Sequence, residues 1–275
     1  YSYNYQNWNP SAEYETNNTL NNVGLFDLTP FSKFEIQSGK AHQELQKICT
    51  ANIKNEIGKC TYTHMLNSDG GIEADLTVAC IAKNHFRIIS SAATRERDKF
   101  HINKHLCKSV KLNDVTDDYC VFGLFGPKSR DLMKTLSTNK FDNDNFKFAT
   151  AKYITIAGVK IWAQRLSYVG ELGYELYVKF NEAKRIYELL IERGKDFNLS
   201  NCGMHAMDIM RMESGFLHWG HDISPEENQY QAGLTFTISK KKEIDFIGKQ
   251  ALEKIKKEKI KSRFAMFTLK ESKPG

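Results

Sequence analysis

Three stretches of the chain carry residue types that could do chemistry. Asp75 follows the turn Asn67-Ser-Asp-Gly-Gly71 on a run, Ile72 to Val78, in which apolar and polar residues alternate. If that run is a strand, Ile72, Ala74, Leu76 and Val78 share one face, and Glu73, Asp75 and Thr77 share the other. A carboxylate held on rigid backbone beside apolar neighbours can have its proton affinity tuned for acid–base work. An exposed aspartate on the wet face of a hairpin fits the same pattern. The second stretch, Arg165 to Tyr177, combines Gly170 and Gly173 with Tyr168, Glu171, Tyr174, Glu175 and Tyr177. Val169 to Gly173 must turn between two strand-like runs, and its glycines permit close approach, so a ligand could lie there with Glu171 beside it. A plain turn with solvated glutamates is the competing reading. The third stretch sets Arg211 and Glu213 among Met204, Met207, Ile209, Met210 and Met212. An arginine in such apolar company needs a carboxylate partner, from the protein or from a ligand, while the methionines read as core.

Other features point to less. The histidine pairs His101/His105 and His218/His221 could each share a face and hold a metal, but no third ligand or nearby cysteine is indicated, so none is expected. Gly123-x-x-Gly-x-Lys128 fails the phosphate-loop spacing, and no Gly-x-Gly-x-x-Gly occurs, which argues against a dinucleotide site. The net charge of +6 comes largely from the lysines between Lys240 and Lys261. That is the pattern of a solvated helix face, able at most to attract a polyanionic ligand tail, and nucleic-acid binding is not expected. The six cysteines form no C-x-x-C pair and sit among apolar neighbours, as reduced, packed thiols of a cytosol-like compartment do. No apolar run approaches the roughly 20 residues that span a bilayer, so no membrane segment is expected.

These residues need elements to position them. A chain of 275 residues with 41% hydrophobic and 26% charged residues buries a full core as one large or two modest domains. Periodicity and turn chemistry predict helices over 12–21, 41–50, 95–106, 181–194, 203–215 and 245–261, with another opening near Pro127. Strands are predicted around Phe34/Ile36, on both sides of the 67–71 turn, over 85–90 and 120–125, and repeatedly between 146 and 178 with a hairpin at Ala157-Gly158. A last strand is expected from Phe264 to Leu269. Hairpins mixed with helices argue for an α+β fold.

Taken together, the motifs resemble the glycine-cleavage T-protein (aminomethyltransferase) family, in the version that forms the folate half of dimethylglycine and sarcosine dehydrogenases. The resemblance rests on Gly24-Leu-Phe-Asp-Leu-Thr-Pro-Phe-Ser-Lys-Phe34, Tyr62 to Asn67, Gly70 to Val78 and Arg165 to Tyr177. Further on it includes Arg211-Met-Glu213, His218-Trp-Gly-His-Asp222, Ala232-Gly-Leu234 and Asp245 to Leu252. It implies interlocked α+β subdomains: residues 1–48 with 150–240, then 49–149, and a C-terminal barrel subdomain begun at 241–275 and cut off. It also implies a tetrahydrofolate in a central hole, with Asp75 beside the reactive nitrogens, Tyr168 and Glu171 on the folate, and Arg211 near the pterin or the carboxylates. Tyr62 and Glu175 complete the implied binding set. Relatives read Thr-Pro-Leu-Glu-Ala-Gly-Leu where this chain has Asn228-Gln-Tyr-Gln-Ala-Gly-Leu234, which leaves that loop's geometry open.

The implied activity is capture of the iminium or formaldehyde from N-methyl oxidation as 5,10-methylenetetrahydrofolate. The flavin, FAD, belongs to an N-terminal domain or subunit absent from this sequence. A stand-alone aminomethyltransferase is an alternative, against which the Trp219-Gly-His-Asp222 segment, typical of the fused relatives, argues. A non-catalytic regulatory subunit of the pyruvate dehydrogenase phosphatase type is another. The composition suggests a bacterial cytoplasm, or the mitochondrial matrix if the source is eukaryotic.

Overall fold

In a computed structural model, residues 6–258 and 260–268 are described. The strands are β1 (Val23–Asp27), β2 (Ser32–Gln37), β3 (Cys60–Leu66), β4 (Ile72–Ala82), β5 (His85–Ser90) and β6 (Leu112–Asp114), followed by β7 (Tyr119–Phe125), β8 (Ala151–Ile156), β9 (Val159–Gln164), β10 (Gly173–Lys179) and β11 (Leu199–Cys202). The helices are α1 (Asn9–Asn21), α2 (Ala41–Ile48), α3 (Arg95–His105), α4 (Ser129–Leu136), α5 (Phe180–Gly194), α6 (Met204–Glu213) and α7 (Lys249–Lys257).

The strands make two sheets, one ordered β11-β1-β7-β10-β9-β8 and the other β3-β4-β5-β2-β6. Apart from the parallel pair β1/β11, the pairings are antiparallel, so the architecture is α+β as expected. The six-stranded sheet packs one face on α4 and α5 through Leu124, Leu132, Leu176, Ile186 and Leu190. Its other face meets α6 and the five-stranded sheet through Val121, Trp162, Tyr177, Met207, Cys60 and Ala79. The five-stranded sheet buries its far side under α2 and α3. Each sheet takes strands across the subdomain boundaries drawn from the sequence: β2 joins the second sheet and β7 the first, because antiparallel pairing follows the hydrogen-bonding edge available rather than chain order.

Local chemistry explains the turns. Asn67 Oδ1 accepts from the Asp69 and Gly71 amides at 3.0 and 2.9 Å, and Gly70 has φ +86°. The Ala157-Gly158 connection, with φ 49° and 83°, is the doubly positive turn that suits right-twisted hairpins. Three expectations change. Residues 264–268 pair in no strand, although the Phe264 amide reaches the Gln231 carbonyl at 2.9 Å, and Leu269 lies outside the described residues. The C-terminal helix begins at Lys249 rather than 245. Met207 and Met210 are core, but Met204 and Met212 are 57% and 51% exposed, because they lie off the face of α6 that meets the sheets. Among the described residues, no helix is long and apolar enough to cross a membrane.

Candidate functional site

Alternation on two paired strands builds the centre of the site. Ile72, Ala74, Leu76 and Val78 are buried, while Glu73, Asp75 and Thr77 are only half-buried, and Asp75 pairs with His64 across the hairpin. Cys60, Tyr62 and His64 alternate on the same side of β3. The Tyr62 hydroxyl donates to Asp75 Oδ2 at 2.9 Å. Burial pushes the Asp75 carboxyl up to about 7; the Tyr62 hydrogen bond works against that rise, and the charge of Asp98 on α3 adds to it. Burial and the neighbouring Asp75 together hold the Tyr62 phenol well above its ordinary value. Asp75 is thus a carboxyl able to exchange a proton near neutrality.

Burial of Asp75 predicts a pH-dependent cost to the fold. An unfolded aspartate releases its proton near 3.8, so between about pH 4 and 7 the folded chain retains a proton that the unfolded chain has lost. Stability therefore falls as pH rises through that window. Asp75→Asn is expected to unfold at higher urea than the wild type above pH 7, by about 1–2 kcal/mol because solvent reaches the half-buried group, and to show no gain near pH 4. An equal gain at both pH values would mean that the ionised carboxylate is not the source of the cost.

The stretch 165–177 supplies the facing wall. Tyr168 donates to the Leu217 carbonyl at 2.7 Å and stacks on Phe216 with centroids 6.1 Å apart. Burial holds its phenol high, and it lies within electrostatic reach of Arg211 and of Asp75. Glu175 on β10 accepts at Oε2 from Gln164 and Tyr177, at 3.0 Å each, and burial pushes its carboxyl up against those bonds. Behind it, the Arg87 guanidinium sits 4.3 Å from the Tyr119 ring centroid and 5.2 Å from that of Tyr177 while binding Glu35, which ties the two sheets together. Glu171 is half-buried and makes no hydrogen bond or ion pair among the described residues. The close approach at Gly170 is to the residue that caps the C-terminus of α6 rather than to open space: a Cβ there would stand 2.1 Å from Ser214 Oγ.

Arg211 finds its carboxylate partners within the protein. Its Nε donates to Asp208 at 2.7 Å, and its Nη1 donates to Asp222 and, at 3.1 Å, to the Phe216 carbonyl. Asp222 also accepts from the His218 amide at 2.9 Å, so the arginine gathers residues 216–222 into a loop. Trp219 on that loop donates to the Ile72 carbonyl at 2.9 Å and lies under Arg97, 4.5 Å away, and Arg97 grips Glu73. The loop therefore braces the base of the Asp75 strand.

Tyr62 stacks on Phe236 with centroids 6.1 Å apart, and the two are 38% and 74% exposed, so aromatic faces stand open beside Asp75. Phe236, Phe216, Asp98 and His64 were not singled out from the sequence. Only His64 left a signal there, two residues from Tyr62 on an alternating strand. The others arrive by long-range packing. The histidine pairs lie with ring centroids 4.8 Å (His101/His105) and 4.3 Å (His218/His221) apart, and among the described residues no group of three or more His, Cys, Asp or Glu could hold a metal ion.

Comparison with known proteins identifies the family and the fold. Residues 1–242 match the GCVT N-terminal domain. The chain is 36% identical over 93% of its length to a 4-methylaminobutanoate oxidase (formaldehyde-forming) of Paenarthrobacter nicotinovorans, and 32% identical over 96% to the mitochondrial dimethylglycine dehydrogenase of Rattus norvegicus. It spans 31% of the length of each. Among solved structures, the glycine cleavage system aminomethyltransferase T of Bartonella henselae superposes with a TM-score of 0.79 at 23% identity, over 90% of this chain and 66% of that one, which establishes a shared fold. The chain belongs to the glycine-cleavage T-protein family, as its GCVT N-terminal domain.

Proposed function

We propose that the chain is a tetrahydrofolate-dependent one-carbon transfer domain of a dimethylglycine- or sarcosine-type dehydrogenase. It captures the iminium or formaldehyde from N-methyl oxidation as 5,10-methylenetetrahydrofolate and works with a flavin-bearing N-terminal domain or subunit. The observation that carries the reading is Asp75: a carboxyl balanced near neutrality, held at one oxygen by Tyr62 and, among the described residues, without a hydrogen-bond partner at the other. The names of two relatives, an oxidase that forms formaldehyde and a dimethylglycine dehydrogenase, supply the substrate class.

The residues present fit a folate. Open aromatic faces at Tyr62 and Phe236, and at Tyr168 and Phe216, suit a flat pterin and aminobenzoyl group. Glu175 and Glu171 offer carboxylate acceptors to ring N–H donors. Arg211 borders the ligand by holding the 216–222 loop, its nitrogens being committed to Asp208, Asp222 and Phe216. When bound, tetrahydrofolate supplies amine nucleophiles, N5 and N10, toward a one-carbon electrophile. Asp75 takes up the proton lost at the amine, and its charge faces the cation that develops. Binding is tested by calorimetric titration of tetrahydrofolate into the folded chain. A single saturable site, weakened by Glu175→Gln, is expected; a folded chain with no saturable heat would sink the folate reading in favour of a non-catalytic role.

A further inference from the structure

Glu175 is fastened more closely than a solvated glutamate on a strand needs to be. Directly across β9 from it stands Gln164, which is wholly enclosed. Trp162, two residues earlier on the same face of β9, decides which end of that amide meets the carboxyl. An indole N–H can only donate, and Trp162 Nε1 lies 3.3 Å from Gln164 Oε1; the Cys60 thiol approaches the same oxygen at 3.8 Å. A reversed amide would set two donors against each other at the indole and an oxygen against the carboxylate. The NH2 group therefore faces forward, and its two protons have two acceptors, Glu175 Oε2 at 3.0 Å and the Tyr177 hydroxyl oxygen at 3.1 Å. That hydroxyl, receiving from Gln164, sends its own proton to Glu175 Oε2 at 3.0 Å. Both protons that reach the carboxyl thus land on one oxygen. The other, Oε1, accepts no hydrogen bond among the described residues and is not sealed in.

We propose that Gln164 is a positioning residue: held by the Trp162 indole, it gathers its own amide proton and the Tyr177 hydroxyl proton onto Oε2, so that Glu175 meets a ligand as an ionised carboxylate with Oε1 open to an N–H donor. The other groups around Glu175 do not compete. On the β7 side stands Gly123, where the Phe125 ring fills the place of a side chain, 2.7 Å from a Cβ built there. On β3, burial and the charge of Glu175 hold the Cys60 thiol high and hence neutral. Arg87 of β5 lies against the Tyr177 ring and binds Glu35. Burial, with Glu175 beside it, also holds the Tyr177 phenol well above its ordinary value, so it remains a donor. Two carboxyls of one site are thereby given different work. Asp75 has one donor and exchanges a proton near neutrality; Glu175 has two on one oxygen and keeps its charge.

The inference rests on Glu175 being a ligand group, yet its first tests need no folate, so failure of the folate titration and failure of this positioning are separable. In the ligand-free native chain, 13C NMR of the side-chain carboxyls should show Glu175 ionised at pH 7 and taking up its proton below Asp75. A Glu175 midpoint at or above that of Asp75 overturns the proposal without any substitution. Gln164→Met fills similar space without donors, and loss of hydrogen bonds to the charged form should raise the Glu175 midpoint by about one unit while leaving that of Asp75 in place. An unmoved Glu175 midpoint overturns the proposal. Calorimetry with tetrahydrofolate should then find Gln164→Met about tenfold weaker than the wild type, with no further loss when the same change is made in Glu175→Gln. A loss as large in that background as in the wild type would make Gln164 a merely structural residue and overturn its positioning role.

Discussion

Asp75→Asn is expected to slow enzyme-dependent formation of methylenetetrahydrofolate from formaldehyde and tetrahydrofolate by about 10²–10⁴-fold, the usual contribution of a positioned acid–base group, with folate affinity held within a few-fold. Asparagine has nearly the same shape and can still accept from Tyr62 through its amide oxygen, so the pocket is preserved while the charge and the proton site are lost. The wild-type rate should also fall as pH drops through about 7, where burial makes the carboxyl take up a proton; the variant should lose that dependence. The measurement is the initial rate over the uncatalysed reaction, alongside calorimetric affinity. Full activity in the asparagine variant at unchanged affinity would remove Asp75 from the mechanism. The same substitution should stabilise the fold above pH 7, and that opposition is the mark of a group retained for function at a cost in stability.

The largest loss of stability is expected from Arg211→Met, about 3 kcal/mol by urea unfolding, the scale for removing one member of a buried charged network. Methionine fills part of the space but leaves Asp222, whose side chain is 21% exposed, and the Phe216 carbonyl without their donor. The consequence reaches the site, because the 216–222 loop supplies the Leu217 carbonyl that anchors Tyr168 and the Trp219 ring that braces β4. Folate affinity should therefore drop together with stability. Arg211→Lys should recover only part of the loss, since one ammonium cannot serve Asp208, Asp222 and the carbonyl with a planar fork. A methionine variant as stable as the wild type would show that these pairs contribute nothing net.

The chain's own periodicity determined a good deal. Alternation from Ile72 to Val78, the Asn67 to Gly71 turn, the helical spacing of Ala183, Ile186 and Leu190, and the positive-φ turn at Ala157-Gly158 depend on neighbours within a few residues, and each is found where the sequence puts it. Placement of Asp75 on the polar side of its strand followed from the same two-residue period. Whether that side was wet or enclosed did not. The surroundings of the half-buried Asp75 bring together Tyr62 across the hairpin, the charge of Asp98 from α3 and, within electrostatic reach, Tyr168 from a stretch more than ninety residues later. Arg211's need for a carboxylate was legible from its apolar company, and Asp208 lies one helical turn away, but Asp222 and the Phe216 carbonyl become partners only because residues 216–222 wrap around it. His64 and Gln229 are farther still from local inference: they lie 165 positions apart in the chain, and only packing of the segment after α6 onto β3 sets one amide against one imidazole. Residue types and spacing decided which groups could act as acid, base or ligand partner; the tertiary structure decided which are dehydrated together, and dehydration moves a carboxyl from its ordinary range to neutrality.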